Sequence, residues 1–233
     1  MKSILNILLA AAAVALAIMC YQSVQIPVQF NEECAKRDEV IIQRLKDIRT
    51  IQEHHRDKYQ TYCASWAQLI NFAKNDSLPQ VNKVGSLTDD QLKEGLNEKD
   101  AWKYLCDPKK YAKEIDKFKL SKATFSRDTF YVNVLKKDSS FIARPNFDID
   151  NIMIVPFTEN GTDTFELNLG SVTTASGYEM ALFEAKTPFE AYLWDLNPQE
   201  LANKIDDRKL MDKYPGLMVG DATQANNNAG NWE

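Results

Sequence analysis

The beginning of this chain holds its only stretch that is both long and almost entirely apolar. Residues 4–20 read ILNILLAAAAVALAIMC, with Asn6 as the one polar side chain, and Lys2 places a positive charge before them. A helix needs about 20 apolar residues to cross the hydrocarbon of a bilayer, and this run approaches that length. It predicts a membrane anchor over residues 1–21. The anchor residues are Ile4, Leu8, Leu9, Val14, Leu16 and Ile18.

Two other kinds of leader compete with the anchor. A cleaved signal peptide needs only a shorter apolar core and an A-x-A site, which the segment ALA at residues 15–17 supplies. A lipoprotein needs a small residue before its modified cysteine, and Met19 before Cys20 is a poor fit. We favour the anchor, because the run nearly spans a bilayer. In each case Lys2 stays cytoplasmic and the rest of the chain is exported.

The composition of the chain indicates a folded, acidic protein. Hydrophobic residues make up 44% of it, which is ordinary for a protein that buries a core. The formal net charge is −5, and no cluster of Lys and Arg is dense enough to override it. Because a nucleic-acid interface needs a basic surface, we do not expect nucleic acid as a partner.

The cysteines predict one disulfide in an exported chain. Four are present, which allows three pairings, and they are Cys20, Cys34, Cys63 and Cys106. Cys34 and Cys63 flank one predicted helix, which would hold them about 43 Å apart, too far to bond. Cys63 with Cys106 is the best intramolecular pair. No C-x-x-C spacing occurs and His54 and His55 are the only histidines, so we expect no metal site.

Residues 22–63 are predicted to form a juxtamembrane segment, broken at Pro27, and a helical stem that begins at Asn31. Heptad positions of the stem form a seam that is apolar in its middle and polar at both ends. We favour packing of this seam on the chain's own domain. The alternative is a parallel pair of stems, with self-association through Cys34, Ile41, Leu45 and Ile48 and with the two Cys34 side chains facing each other.

The remaining residues predict helices first and strands later. Residues 64–122 form a helical region, with helices at 65–74 and 98–105 and a capping box, T-x-x-Q, at residues 88–91. Residues 123–215 are rich in β-branched and aromatic runs, and Asn197 caps a helix that starts at Pro198. The predicted strands are residues 129–135, 152–155, 164–169 and 178–183, with 189–193 as a fifth. Residues 216–233 form a polar tail.

Together these elements predict an α+β fold: an N-terminal membrane helix and a long amphipathic helix, followed by a small antiparallel β-sheet domain. No nucleophile elbow, P-loop, dinucleotide fingerprint or zinc-protease motif is present. The segment DIDN at residues 148–151 lacks the glycine and distal glutamate of a calcium loop, so we expect a turn there. We therefore assign no catalytic, cofactor-binding or metal-ligating residue and expect no cofactor.

Several blocks of the chain resemble an uncharacterised family of single-span envelope proteins from Bacteroidota. The blocks cover most of residues 40–233, and among them are SRDTFYVNV, IMIVPF, ALFEAKTPFEAYLWDL and the closing NNNAGNWE. The resemblance implies an inner-membrane protein with its C-terminal body in the periplasm, and it implies no mechanism. A weaker similarity is to pilins and pseudopilins, which share the order of elements, but the prepilin cleavage signature is absent.

The function expected from these observations is that of a non-enzymatic assembly or interaction component of the cell envelope. Its partners would be the membrane and other envelope proteins, including further copies of itself in a homo-oligomer. A pilin-like or pseudopilin-like subunit of a filament or secretion machine is the first alternative. A periplasmic enzyme or ligand-binding module that uses the sheet is the second.

Overall fold

The computed structural model describes residues 2–144 and 147–233, without the side chains of residues 2–5, 7 and 8. Its backbone divides into two compact units. The larger unit contains residues 2–73 and 147–233, and the smaller one contains residues 74–144. Helices and small antiparallel sheets are combined, so the predicted α+β class is confirmed.

One helix, α1 (Lys2–Tyr59), is uninterrupted and has Pro27 inside it. The predicted break at Pro27 and the predicted helix start at Asn31 are therefore wrong. A proline inside a helix removes one backbone hydrogen bond and crowds the preceding turn, which costs about 3 kcal/mol. Burial of the side chains that follow, beginning with Phe30 at 5% exposed, offsets this cost and keeps the helix continuous.

The second half of α1 packs on an antiparallel sheet of the same unit. The sheet contains β3 (Glu166–Thr173), β4 (Glu179–Pro188) and β5 (Gly216–Gly220) in the order β3-β4-β5. α1 contacts both β4 and β5. Just after the helix, the ring of Tyr62 lies 4.8 Å from that of Phe183 on β4. This helix-on-sheet contact forms the core of the larger unit.

The predicted heptad seam is buried, but within a single chain. Ile41, Leu45 and Ile48 are fully buried, and Cys34 is 2% exposed. Side chains that are packed into their own domain are not available to a second stem. The competing prediction, packing on the chain's own domain, is confirmed, and it leaves no exposed surface for the self-association predicted through Cys34, Ile41, Leu45 and Ile48.

Two predicted strands of the larger unit are wrong. Residues 152–155 form turns and one isolated bridge, from Ile154 to Thr164. Their apolar character reflects the burial of Ile152 and Val155 in the core, not pairing in a sheet. Phe189–Tyr192 is a short helix, which we name α8. Its buried Phe189 and Tyr192 are three residues apart, which places both on one helical face.

The helix predicted after Asn197 is confirmed. It is α9 (Pro198–Leu210), with proline in the first turn. The Asn197 side chain caps it by accepting hydrogen bonds from the backbone N–H groups of Gln199 and Glu200 at 3.0 and 3.1 Å. Tail residues 216–233 are not a free polar tail, because they begin with β5 and continue along its edge.

The smaller unit combines a two-stranded ribbon with short helices. β1 (Ser77–Val84) pairs with β2 (Ser126–Asn133). β1 contains Pro79 and was not predicted, but both strands of a two-stranded ribbon are edges, where proline is tolerated. The confirmed capping box of Thr88 and Gln91 opens α3. Its helices are α3 (Asp89–Lys93), α4 (Glu98–Cys106), α5 (Ala112–Phe118), α6 (Val134–Lys137) and α7 (Ser139–Ile142). The helix α2 (Trp66–Asn75) lies mostly in the larger unit and ends in the smaller one.

All four cysteines are free, so the predicted disulfide between Cys63 and Cys106 is wrong. Cys63 is 4% exposed, and its thiol donates to the carbonyl of Ser65 at 3.3 Å. Cys106 is exposed at the end of α4 and belongs to the other unit. A buried thiol with its own hydrogen bond has no opening toward a second cysteine.

Replacement of Ile48 tests whether the seam is core. Ile48→Ala is expected to lower the free energy of unfolding by about 2–5 kcal/mol, because it leaves a cavity between α1 and the sheet. Val40→Ala, on the exposed side of the same helix, is the matched control and should change stability by less than about 0.5 kcal/mol. Urea unfolding of the detergent-solubilised chain measures both variants. An Ile48→Ala variant as stable as the control would contradict the burial of the seam.

Candidate functional site

The first part of α1 presents a continuous apolar surface that nothing in the structure covers. An 18-residue window of this helix has a mean hydropathy of 1.7 and is 0% buried. By length and composition it can cross a membrane. The predicted anchor residues with described side chains are all exposed, namely Leu9 at 60%, Val14 at 59%, Leu16 at 62% and Ile18 at 52%. The side chains of Ile4 and Leu8 lie outside the described residues.

Where α1 enters the body, Arg37 ties it to the segment after α8. The guanidinium donates to both carboxylate oxygens of Asp195, at 2.5 and 2.8 Å, and to the backbone carbonyl of Tyr192 at 2.7 Å. Bidentate pairs of this kind fix geometry as well as adding energy. The hydrogen bonds from Arg37 hold the pKa of the Asp195 carboxyl below its usual range.

The next residue, Asp38, joins α1 to both α8 and α9. It accepts a hydrogen bond from the Tyr192 hydroxyl at 2.5 Å and pairs with Lys204 of α9 at 3.3 Å. Burial, together with the Asp38 charge, raises the pKa of Tyr192, so this phenol stays protonated and donates. We name Arg37, Asp38, Tyr192, Asp195 and Lys204 the proximal cluster.

Cys34 lies next to the proximal cluster and is chemically quiet. Burial raises the pKa of its thiol, which favours the protonated form. The thiolate is the reactive form of cysteine, so a thiol with a raised pKa is a poor nucleophile. This environment suits a packed core cysteine.

A second set of contacts joins the far end of the stem to the last residues of the chain. Asn228 is 7% exposed, and its amide donates to Glu53 at 3.1 Å and to the Tyr62 hydroxyl at 3.0 Å. Arg49 donates to the backbone carbonyl of Asn228 at 3.2 Å and to the Glu233 carboxylate at 2.8 Å. We name these five residues, Arg49, Glu53, Tyr62, Asn228 and Glu233, the distal cluster.

The C-terminal residues reach the distal cluster as a strap along the edge of β5. Asn231 donates from its backbone to the carbonyl of Met218 at 3.0 Å and from its amide to the carbonyl of Gly216 at 2.9 Å. A Cβ added at Gly230 would lie 2.3 Å from the Trp232 ring, so only glycine fits this close approach. The closing NNNAGNWE therefore fixes the end of the chain to the stem.

Both clusters hold α1 in place. Arg37 pairs with Asp195, Asp38 with Lys204 and Arg49 with Glu233, and Glu53 accepts a hydrogen bond from the Asn228 amide. No group of three or more His, Cys, Asp or Glu side chains that could hold a metal occurs in the described part of the chain. A pocket of about 540 Å³ lies between α1 and α9, lined by Phe30, Asn31, Arg208, Met211 and neighbouring residues of α9.

Comparisons of the chain with protein-family models, curated proteins and solved structures find no match.

Sequence reasoning placed the seam but missed most members of the two clusters. The polar ends of the predicted seam include Asp38 and Gln52. Such residues are the available signal, since a polar side chain on a buried face needs a partner. Gln52 is fully buried and exchanges two hydrogen bonds with the backbone of Cys63, at 2.8 and 2.9 Å. The partners of Asp38 are far away in sequence, and nothing local identifies them.

The ion pair of Arg37 and Asp195 predicts a pH dependence of stability. A carboxyl whose pKa is lowered by folding contributes stability above its unfolded pKa, and that contribution is lost as pH falls through the folded value. Asp195→Asn is therefore expected to lower stability by about 1 kcal/mol at neutral pH, a value discounted for the partial exposure of Asp195. The difference from wild type should shrink as the pH falls below about 4.

Unfolding measured between neutral and acidic pH checks this expectation. Asp57→Asn is the matched control. Asp57 is exposed, and its ion pair with Arg56 is long, at 3.9 Å, and therefore weak. A constant difference between Asp195→Asn and wild type across the whole range would show that the ion pair does not stabilise the fold.

Proposed function

We propose that this chain is a membrane-anchored protein of the inner membrane that holds its body in the periplasm and acts as a non-enzymatic assembly or interaction component of the envelope. One observation carries the proposal. A single helix, α1, has an uncovered apolar first part and a second part buried in the body. An interaction protein needs a fixed position and an accessible contact surface, and the chain offers features that fit both needs.

The continuity of α1 supports a fixed position. Nine residues separate Tyr21, at the end of the apolar run, from the buried Phe30. At about 1.5 Å per residue this is about 14 Å of helix, with no flexible linker in it. The proximal and distal clusters then fix the rotation of the body about the stem. The larger unit is thereby held rigidly on the anchor helix, at a set distance from the apolar run.

The ribbon of the smaller unit supports a contact surface. Val81 and Tyr131 are 45% and 74% exposed. The β1–β2 register pairs Val81 with Thr129 and Pro79 with Tyr131, so both side chains point to the same face of the ribbon. Exposed aromatic and apolar side chains are typical of protein contact sites. The opposite face exposes Phe130 at 46%, less than Tyr131, so the Tyr131 face is the better contact surface. We name this surface the ribbon face.

A pilin-like subunit is the second candidate. The arrangement of α1 favours it, because the first part of the helix is bare and the second part packs on the antiparallel sheet β3-β4-β5. In a filament the bare segments of many copies would pack against each other. Crosslinks from Val14 between several copies of the chain would support this candidate, whereas Val14 of an isolated anchor contacts lipid.

Photocrosslinking in native membranes tests the proposed function. A photoreactive amino acid at Tyr131 is expected to give a discrete crosslinked product with a protein partner. Alkaline carbonate is expected to leave the chain in the same membranes. Asn82, exposed on the opposite face of the same ribbon, is the matched control and should give none. Full extraction by carbonate would contradict the anchor. Equal crosslinking from both positions, or none from Tyr131, would contradict the contact surface.

A further inference from the structure

Two contacts place the helix α9 beside the part of α1 that follows the apolar segment. Lys204 pairs with Asp38, and seven residues later Met211 lines the same cleft as Phe30 and Asn31 of α1. Seven residues of helix advance about 10 Å, and the corresponding separation on α1 is the same. The end of α9 therefore lies beside the part of α1 that emerges from the apolar run.

The end of α9 is apolar and uncovered. Leu210 is 85% exposed, more than any other large hydrophobic side chain in the described part of the chain, and Met211 is 63% exposed. The helix ends at Leu210, and the chain turns away at Asp212, where φ is 54°. Lys209 and Lys213 flank the apolar pair on either side. We name Lys209, Leu210, Met211 and Lys213 the α9 tip.

The α9 tip reaches the level of a lipid headgroup layer when the span ends near Ile26. If the span ends between Tyr21 and Ile26, Phe30 lies about 6–14 Å beyond the hydrocarbon. The headgroup region is about 5–8 Å thick on each side of a bilayer. Val24 and Val28, between the span and Phe30, are 68% and 45% exposed, so an apolar surface continues along α1 toward the level of the tip.

We propose that the α9 tip is a second membrane contact, in which Leu210 and Met211 enter the headgroup layer of the leaflet that the body faces. The proposal rests on the proposed function, since it needs α1 to be the anchor. Apolar side chains lose contact with water in that layer, while flanking lysines extend their amines to phosphate groups. The span and the tip together define the tilt of the body relative to the membrane. A span alone would leave that tilt free.

The charge near the tip identifies the kind of contact. Arg208, Lys209 and Lys213 are balanced by Asp206, Asp207 and Asp212. A balanced surface is not drawn to acidic lipids by long-range attraction. The contact depends on the apolar pair, and it should persist in high salt, which screens exposed charges.

A fluorescent label on the full-length chain in lipid vesicles tests the proposal. Leu210→Cys is labelled in a Cys20→Ser, Cys106→Ser background, which removes the two exposed native thiols. Tyr178→Cys is the matched control, because Tyr178 is 66% exposed and lines a cleft with Arg56 and Asp57, about 40 Å further along α1. Nitroxide groups on the lipid headgroups should quench the Leu210→Cys label roughly three-fold more than the control label.

Equal quenching of the two labels would overturn the proposal, and loss of the difference in high salt would overturn the apolar contact. Leu210→Asp is expected to reduce quenching of a label at Met211→Cys by roughly two-fold, because the acidic side chain avoids the headgroup phosphates. Its melting temperature should match wild type, since Leu210 is exposed. Carbonate extraction of the same samples separates the two proposals: an extracted chain contradicts the anchor, and an embedded chain with an unquenched label contradicts the tip alone.

Discussion

Burial of one face of α1 against β4 and β5 is the interaction on which the rest of this structure depends. The face includes Ile41, Leu45, Ile48 and Ile51, all fully buried. Each such side chain contributes about 1.5–3 kcal/mol when it leaves water. A three-stranded sheet without this helix would expose an apolar face. Because α1 is continuous, the same burial also determines the direction in which the apolar segment leaves the body.

Polar contacts give this apolar packing its register. The proximal cluster fixes α1 against α8 and α9, and the distal cluster fixes it against the C-terminal strap. Partly exposed ion pairs such as that of Arg49 and Glu233 add little net energy. A one-residue slip of the stem would, however, separate all of these donors from their acceptors. The clusters therefore specify one alignment of helix and body, and the apolar seam supplies most of the stability.

Local patterns in the sequence predicted what depends on neighbouring residues. The positions of the seam, the capping box at Thr88, the cap at Asn197 and the β3–β4 hairpin agree with the structure. Predictions failed where distant packing decides the outcome. Burial after Pro27 holds α1 together, and Phe189 and Tyr192 pack as one helical face although their residue types favour a strand.

The candidate site was less predictable than the fold. Arg37 and Asp195 are 158 residues apart in the chain. The residues around Arg37 therefore carry no information on which acidic side chain it pairs with. The disulfide was predicted from the number of cysteines and from an exported compartment, neither of which carries information on the environment of Cys63. The C-terminal strap was predicted only as a polar tail, because its composition conceals the backbone hydrogen bonds that it makes to β5.

A distance measured along α1 in a lipid bilayer tests the central claim most directly, namely that the anchor and the body share one rigid helix. Spin labels at Ile18 and Lys36, both exposed, lie on the same helical face on opposite sides of Pro27. A continuous helix predicts a single narrow distribution of distances between the labelled positions, centred near about 27 Å. A broad distribution, or one centred at a much shorter distance, would show a hinge at Pro27 and would contradict the account.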